Sequence, residues 1–401
     1  MRKILLATTA LVGFAVAGAA QAATSPLNVT IGGSVDAVAG QFHESKVSAV
    51  QGANRTAHDF ETIYALNFGV TGKAGNGLEY GGNLTLDNAP DIADGFRGTA
   101  NGIAVTTADI FLSGAFGKVQ LGDSRGATDL ALSTPTVGEG QVSGRYIDFL
   151  DTESFAKNFV VGVDGTDHST NITYFTPKVG NDTNKVQAAV SFVPQFYNYG
   201  SSVAKYQGGT TTTTNTNNLS PYKDVVKGAV AYTGTFKPVT VGASAHIITG
   251  SADASATNQQ AWIAHAPTGP GINVRDFTAW GLDAQAAAEG FTLGVNYVDQ
   301  GHYNTVAGQT KDQQQFGAGL KYEFSKVAVG VNYLGGEGYS NTLSVSRGNY
   351  VKEFNSYGAG GAYTWAPGLT TNLDGVLFDQ KTEGNVKNDG YVLLVSQKLA
   401  F

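Results

Sequence analysis

From Leu27 onward the chain alternates apolar and polar side chains with a period of two. Across residues 315–324, Phe316, Ala318, Leu320, Tyr322 and Phe324 fall on one side, and Gln315, Gly317, Gly319, Lys321 and Glu323 on the other. That is the spacing of a strand with one apolar and one polar face. Residues 226–236 repeat it, as do Phe291, Leu293, Val295 and Tyr297 against Thr292, Gly294 and Asn296. Many such segments are paired around very short connections, at 74–77, 117–118, 237–238, 289–290, 325–326 and 366–368. Turns this short make antiparallel hairpins. Between the hairpins lie eight longer polar stretches: 43–58, 89–103, 125–168, 197–224, 250–275, 303–311, 337–352 and 383–388. With 27–42 opening the chain and 390–401 closing it, the pattern predicts 16 strands joined alternately by long and short connections.

The same alternation fits a soluble β-sandwich, so composition has to decide. A sandwich buries its apolar face and exposes Lys, Glu and Thr, whereas here the polar face is rich in Gly, Thr, Asn and Gln. Glycine numbers 53 against 10 prolines, and charged residues are 14%, well below the usual quarter or so of a soluble domain. Long loops at one end, short turns at the other and an even strand number fit an all-β, 16-stranded antiparallel transmembrane barrel. Sixteen strands leave an aqueous channel rather than a packed interior. Phe116, Phe236, Phe324 and Trp365 fall beside short turns and Phe401 ends the chain, which suits an interfacial aromatic girdle.

Residues 1–22 read as an export signal: Arg2 and Lys3, an apolar run from Ile4 to about Ala20, then small residues through Ala22. A retained membrane anchor is the alternative, disfavoured by the shortness of the run. The barrel is then expected over 23–401. No later stretch holds the roughly 18 apolar residues a membrane helix needs. The net charge of −7 gives no basic footprint for nucleic acid. With no cysteine, a disulfide framework and thiolate chemistry are excluded.

Three stretches resemble Gram-negative general porins of the alphaproteobacterial type. They are residues 108–122, similar to the strand, tight turn and strand before that family's constricting loop; residues 171–177, similar to the strand after it; and the terminal Phe401. In the family a terminal aromatic with apolar residues at alternate positions upstream is the barrel-assembly signal. Phe401, Leu399, Val395, Leu393 and Tyr391 fit that register, while Gln397 departs from it. The resemblance implies recognition by the barrel-assembly machinery, contact with outer-membrane lipid and a homotrimer.

Residues 125–168 form the longest connection, loop three, and loops above about 15 residues are usually functional or disordered. The loop carries Asp129, Glu139, Asp148, Asp151, Glu153, Asp164 and Asp167 against Arg125, Arg145 and Lys157. It also holds Tyr146, Ile147, Phe149, Leu150, Phe155 and Phe159, which need something to pack on. In general porins this loop folds into the lumen and narrows it, and the resemblance implies the same here. Rings of charge are how pores select ions. Asp129, Glu139, Asp148, Asp151 and Glu153 are therefore candidate constriction acids that would favour cations. Candidate opposing cations are Arg55, Arg97, Lys227, Lys321 and Lys398, the last three on expected lumen faces. For each, a solvated loop or wall side chain is the plain alternative.

Residues 122–126, Gly122-Asp123-Ser124-Arg125-Gly126, match the nucleophile elbow of serine hydrolases, which has meaning only on a strand-to-helix turn. No helical period follows Gly126, so catalysis is not expected there. The six histidines, His43, His58, His168, His246, His265 and His302, lack metal-ligand spacing. Most fall in expected loops, where solvated side chains are the simpler reading. The run 210–214 reads as a low-complexity loop tip. No metal, cofactor or nucleic-acid partner is expected. The expected function is an outer-membrane channel passing water, ions and small hydrophilic solutes without energy coupling. The alternatives are a substrate-selective channel for sugars or carboxylates, an outer-membrane barrel hydrolase and a soluble secreted β protein.

Overall fold

The computed structural model describes residues 27–45, 57–88, 103–138, 145–150, 168–196, 222–253, 275–303, 305, 310–339 and 350–401. Its strands are β1 (Asn28–Glu44), β2 (His58–Lys73), β3 (Glu79–Asp87), β4 (Ala104–Gly114), β5 (Gly117–Asp123), β6 (Thr170–Phe175), β7 (Val179–Gly180) and β8 (Asn184–Gln195). They continue as β9 (Tyr222–Phe236), β10 (Val239–Ala252), β11 (Phe277–Ala288), β12 (Phe291–Gly301), β13 (Gln313–Phe324), β14 (Val327–Tyr339), β15 (Tyr350–Ala366), β16 (Leu369–Thr382) and β17 (Lys387–Ala400). Every pairing is antiparallel, and β1 pairs back onto β17, which closes the sheet. β6 and β7 both lie on β8 and are one stave, interrupted at 176–178, where Pro177 has no N–H for the ladder. The 17 segments therefore make a barrel of 16 staves, as the periodicity predicts.

The faces follow the alternation, turned outward. Ile31 is 63% exposed and Leu373 59%, part of the outward apolar band of a membrane-spanning barrel. Lipid offers no hydrogen bonds, so a closed barrel is the β-structure that satisfies every backbone group. Outward aromatics gather in two belts. Beside the short turns, Phe291, Tyr322 and Phe324 stack at 4.2 and 5.3 Å, and Tyr363 meets Trp365 at 4.6 Å. Toward the loops, Trp280 meets Tyr297, and Tyr333 meets Tyr357, each at 5.3 Å.

Several boundaries differ from the expected ones. The turn between β4 and β5 is Ala115-Phe116, with Gly117 and Lys118 already in β5; Gly117, at φ +109, lies so close to β6 that a Cβ there would be 2.2 Å from Phe175 O. The eighth long connection shrinks to residues 383–386. There the Thr382 amide donates to Val386 O and the Asn385 amide to Thr382 O. β9 begins at Tyr222, four residues earlier than the alternation, since Asp224 at φ +51 breaks the period there. A helical turn does follow Ser124: Gly126–Leu130 is a short 3-10 turn, too brief for a period to register. The expected export signal and the run 210–214 lie outside the described residues.

Candidate functional site: a lumen narrowed by loop three

Loop three enters the barrel at Ser124 and follows the inner wall. Gly126 has φ +70, and a Cβ there would sit 2.5 Å from Ser191 Oγ, so the backbone touches the wall. The Ala127 amide donates to Ser191 Oγ at 2.6 Å. Ser191 Oγ lies 2.6 Å from Thr173 Oγ1, which donates to Asn171 Oδ1 at 2.6 Å. Asn171 Nδ2 in turn donates to Ser124 O at 2.6 Å. These buried polar side chains of β6 and β8 are satisfied by the loop root and fix where it starts.

The chain then passes β10 to β14 in sequence. The Leu132 amide donates to Ser244 Oγ at 3.0 Å and to Asp283 Oδ2 at 3.3 Å, and Ser244 Oγ donates to Asp283 Oδ2 at 2.6 Å. Thr134 Oγ1 donates to Asn296 Oδ1 at 2.9 Å. Between these bonds the loop lies on glycines. A Cβ at Gly294 would be 2.5 Å from Pro135 Cδ, one at Gly319 2.2 Å from Pro135 O, and one at Gly330 2.9 Å from Val137 Cγ2. Inward-facing glycines give the wall the groove that seats the loop.

The loop's far arm is a second 3-10 turn, Arg145–Phe149. Tyr146, Ile147, Phe149 and Leu150 are buried there with Val38, Phe42, Leu334, Phe354, Val376 and Leu394 of β1 and β14 to β17. The Phe149 ring lies so close to β1 that a Cβ at Gly40 would be 2.4 Å from it. This is the packing partner that the loop's apolar residues require, and it lies inside the barrel. Burial pushes the Tyr146 hydroxyl up to about 12, against the opposing influence of the neighbouring Ser356 hydroxyl. A second interior cluster, Phe196, Tyr222, Phe277 and Tyr303, fills the loop end beside β8 to β12, with Tyr222 and Phe277 centroids 4.6 Å apart.

What remains open is one side. At the level of the loop, inward residues on β10 to β17 are covered, including Ser244, Asp283, Asn296, Asn332, Asp374 and Ser396. Inward Asn67 on β2 and Asn83 on β3, equally far from the short turns, are exposed instead. The open side of the lumen therefore runs along β2 and β3, with Asp129 and Ser133 exposed on the loop. The path's polar side chains are tied together. Thr85 Oγ1 donates to Asn67 Oδ1 at 2.9 Å, Asn83 Nδ2 to Asp109 Oδ1 at 3.1 Å and Thr106 Oγ1 to Asp87 Oδ2 at 2.9 Å.

The sequence-derived residues fall as follows. Asp129 is exposed in the first turn of loop three and Asp148 half-buried in the second; Glu139, Asp151 and Glu153 lie outside the described residues, as do Arg55 and Arg97. Lys227 does face inward, but beneath the loop root rather than across from it: its Nζ donates to Arg125 O at 3.2 Å and stands 5.4 Å from the Phe196 ring centroid. Lys321 faces the lumen near the short turns, 3.2 Å from Glu323 Oε2. Lys398 sits directly opposite Asp36 across the barrel seam. Phe401, Leu399, Val395, Leu393 and Tyr391 all face outward. Gln397, which breaks their pattern, accepts from Thr371 Oγ1 at 2.6 Å and donates to Thr370 O at 3.1 Å, so its amide is satisfied on the outer surface.

Other roles escape sequence reasoning. His246 lies in a strand as the pattern expects, and there it is a buried wall residue of β10 whose Nδ1 is 3.3 Å from Asp283 Oδ2. Ser124 is buried and bonded to Asn171 at 3.2 Å, closed to any substrate a nucleophile would attack. Ser191, Ser244, Asp283 and Asn296 hold the loop, but a polar inward residue on a barrel strand carries no mark of what will dock on it.

Residues 7–383 match the model of a family described as Gram-negative porin. No curated protein is significantly similar in sequence. Solved structures with the same fold include OmpF of Salmonella typhi in complex with daunomycin, at TM-score 0.57 and 12% identity over 93% of this chain and 97% of that one. A loop L8 deletion mutant of OmpT, an outer-membrane protein of Vibrio cholerae, aligns at 0.56 and 12% over 94% and 100%. The outer-membrane channel DcaP of Acinetobacter baumannii aligns at 0.53 and 13% over 96% and 100%. A closed barrel with an apolar exterior, a wetted interior and a family match over nearly its whole length leaves one conclusion: the chain belongs to the Gram-negative porin family of the outer membrane.

Proposed function

We propose that this protein is a passive diffusion channel whose cross-section is set by loop three and whose open path runs along β2 and β3. The observation that carries this reading is the contrast in exposure around the inner wall: covered side chains wherever the loop lies, exposed Asn67 and Asn83 where it does not. The path is lined by amides and hydroxyls and narrowed by a fixed segment, which passes small hydrophilic solutes by size. Asp129 on the loop, with Asp148, Glu139, Asp151 and Glu153 further along it, biases the passage toward cations.

The chain acts as a homotrimer. OmpT of Vibrio cholerae, which shares the fold at TM-score 0.53 and 11% identity, has been solved in a trimer form. Residues 1–22 direct export, the barrel-assembly machinery reads the segment ending at Phe401, and lipid covers the outer face.

Deletion of residues 134–148 followed by single-channel recording in planar bilayers tests the size and charge filter. The expected result is a larger conductance with weaker cation preference; unchanged conductance and unchanged selectivity reject the reading. Liposome swelling with a graded series of sugars is expected to fall smoothly with solute size, whereas one outlying sugar would mark a substrate-selective pore.

A further inference from the structure

The lumen carries opposite charge at its two ends. At the short-turn end, Lys73, Lys118, Lys185, Lys321 and Lys398 point inward from β2, β5, β8, β13 and β17. Lys178, Lys237 and Lys326 stand in or beside the turns of the same rim. Facing these eight lysines at that end are four carboxylates, Glu79, Asp182, Glu289 and Glu323, a net of +4. Farther toward the loops the described inward side chains are acidic instead: Asp109, Asp123, Asp283 and Asp374 on the wall and Asp129 on loop three, against Arg125 and Lys227 at the loop root. Assigning Asp36 to the turn end, because it stands opposite Lys398, changes the net there only to +3.

We infer that the pore is a rectifier, conducting more when the loop side is electrically positive than when the turn side is. In the acidic part cations are the majority carriers, and in the basic part anions are. With the loop side positive, cations enter through the acidic mouth while anions enter through the basic mouth, so both accumulate in the lumen. The opposite polarity draws both species out and depletes it. The turn-end lysines are the determinants of this asymmetry, because without them the lumen is acidic or neutral throughout. Their position also favours anionic solutes on the turn side of a constriction that repels them.

The inference rests on the reading of the protein as an open channel, and the two fail differently. Current–voltage curves of single trimers are recorded in planar bilayers in potassium chloride at about 0.01 M, where the Debye length is about 30 Å, and at about 1 M, where it is about 3 Å. Because the chain has no cysteine, an Asn76→Cys variant blocked by a one-sided, impermeant thiol reagent reports which way the barrel inserted. The expected result is a current ratio between polarities above one at low salt, favouring a positive loop side, and falling to one at high salt. The Lys185→Gln/Lys321→Gln double variant brings the low-salt ratio toward one. A conducting channel with equal currents at low salt, a ratio of the opposite sense, or a ratio unmoved by the double variant overturns the inference. No conductance at all overturns the channel reading itself.

Discussion

Gly33 and Phe401 close the barrel with a reciprocal pair of backbone hydrogen bonds: the Gly33 amide donates to Phe401 O at 2.9 Å, and the Phe401 amide donates to Gly33 O at 3.0 Å. The Phe401 ring lies over Gly33, where a Cβ would be 3.0 Å from ring Cζ and 2.5 Å from Ala65 O. The last residue of the chain is thus part of the seam as well as of the outer girdle. Gly33→Val places branched carbon where backbone and ring already meet and costs about 1–3 kcal/mol, as overpacking does. The check is heat-modifiable migration on a gel: the folded band of the variant converts to the slow form at a lower temperature than wild type. Deletion of Phe401 removes both bonds and lowers the yield of folded barrel.

The glycine groove under loop three predicts a change in conductance without loss of the barrel. Gly319→Val drives side-chain carbon into the Pro135 carbonyl and lifts the loop off β13 toward the open path along β2 and β3. Single-channel conductance is expected to fall while the folded band persists. Gly361→Ala serves as the control, because a Cβ there meets its nearest neighbour at an ordinary 3.8 Å.

Asp283 is the acceptor shared by the Leu132 amide and Ser244 Oγ, with His246 beside it. Asp283→Ala leaves these buried donors short of a partner, at a cost of about 1–3 kcal/mol to loop attachment. Limited proteolysis of the folded protein is expected to cut loop three faster in the variant, and open-channel current noise to rise.

Tyr146 makes the loop's far arm sensitive to strongly alkaline pH. Its hydroxyl is raised from an ordinary value near 10 to about 12 by burial, so the folded state holds the proton more tightly than the unfolded state. The corresponding stability is fully present below about pH 10 and is lost as pH rises through about 12. Spectroscopic titration of tyrosinate in the folded protein is expected to lose one of its late-titrating groups in Tyr146→Phe. The variant's stability then falls less between those pH values than that of wild type.

The alternation of side chains determined the barrel by itself. A period of two fixes which residues share a face, and short turns fix which strands pair; both are local, so Phe316, Leu320 and Phe324 could be set outside and Gln315 and Lys321 inside from the order of residues alone. Gln397 shows the limit of that local code, since its outward amide makes sense only once Thr370 and Thr371 of β16 are seen beside it. The course of loop three was decided by tertiary structure. Tyr146 and Phe149 announce that the loop is buried somewhere, yet they pack on Val38, Phe42 and Leu394, residues more than a hundred positions away in the chain. Lys227 faces inward as its parity requires, but whether it lines water or lies beneath the loop depends on which part of the wall the loop covers. That choice is made by glycines and hydroxyls on seven separate strands, whose fit to one segment exists only after the sheet has closed.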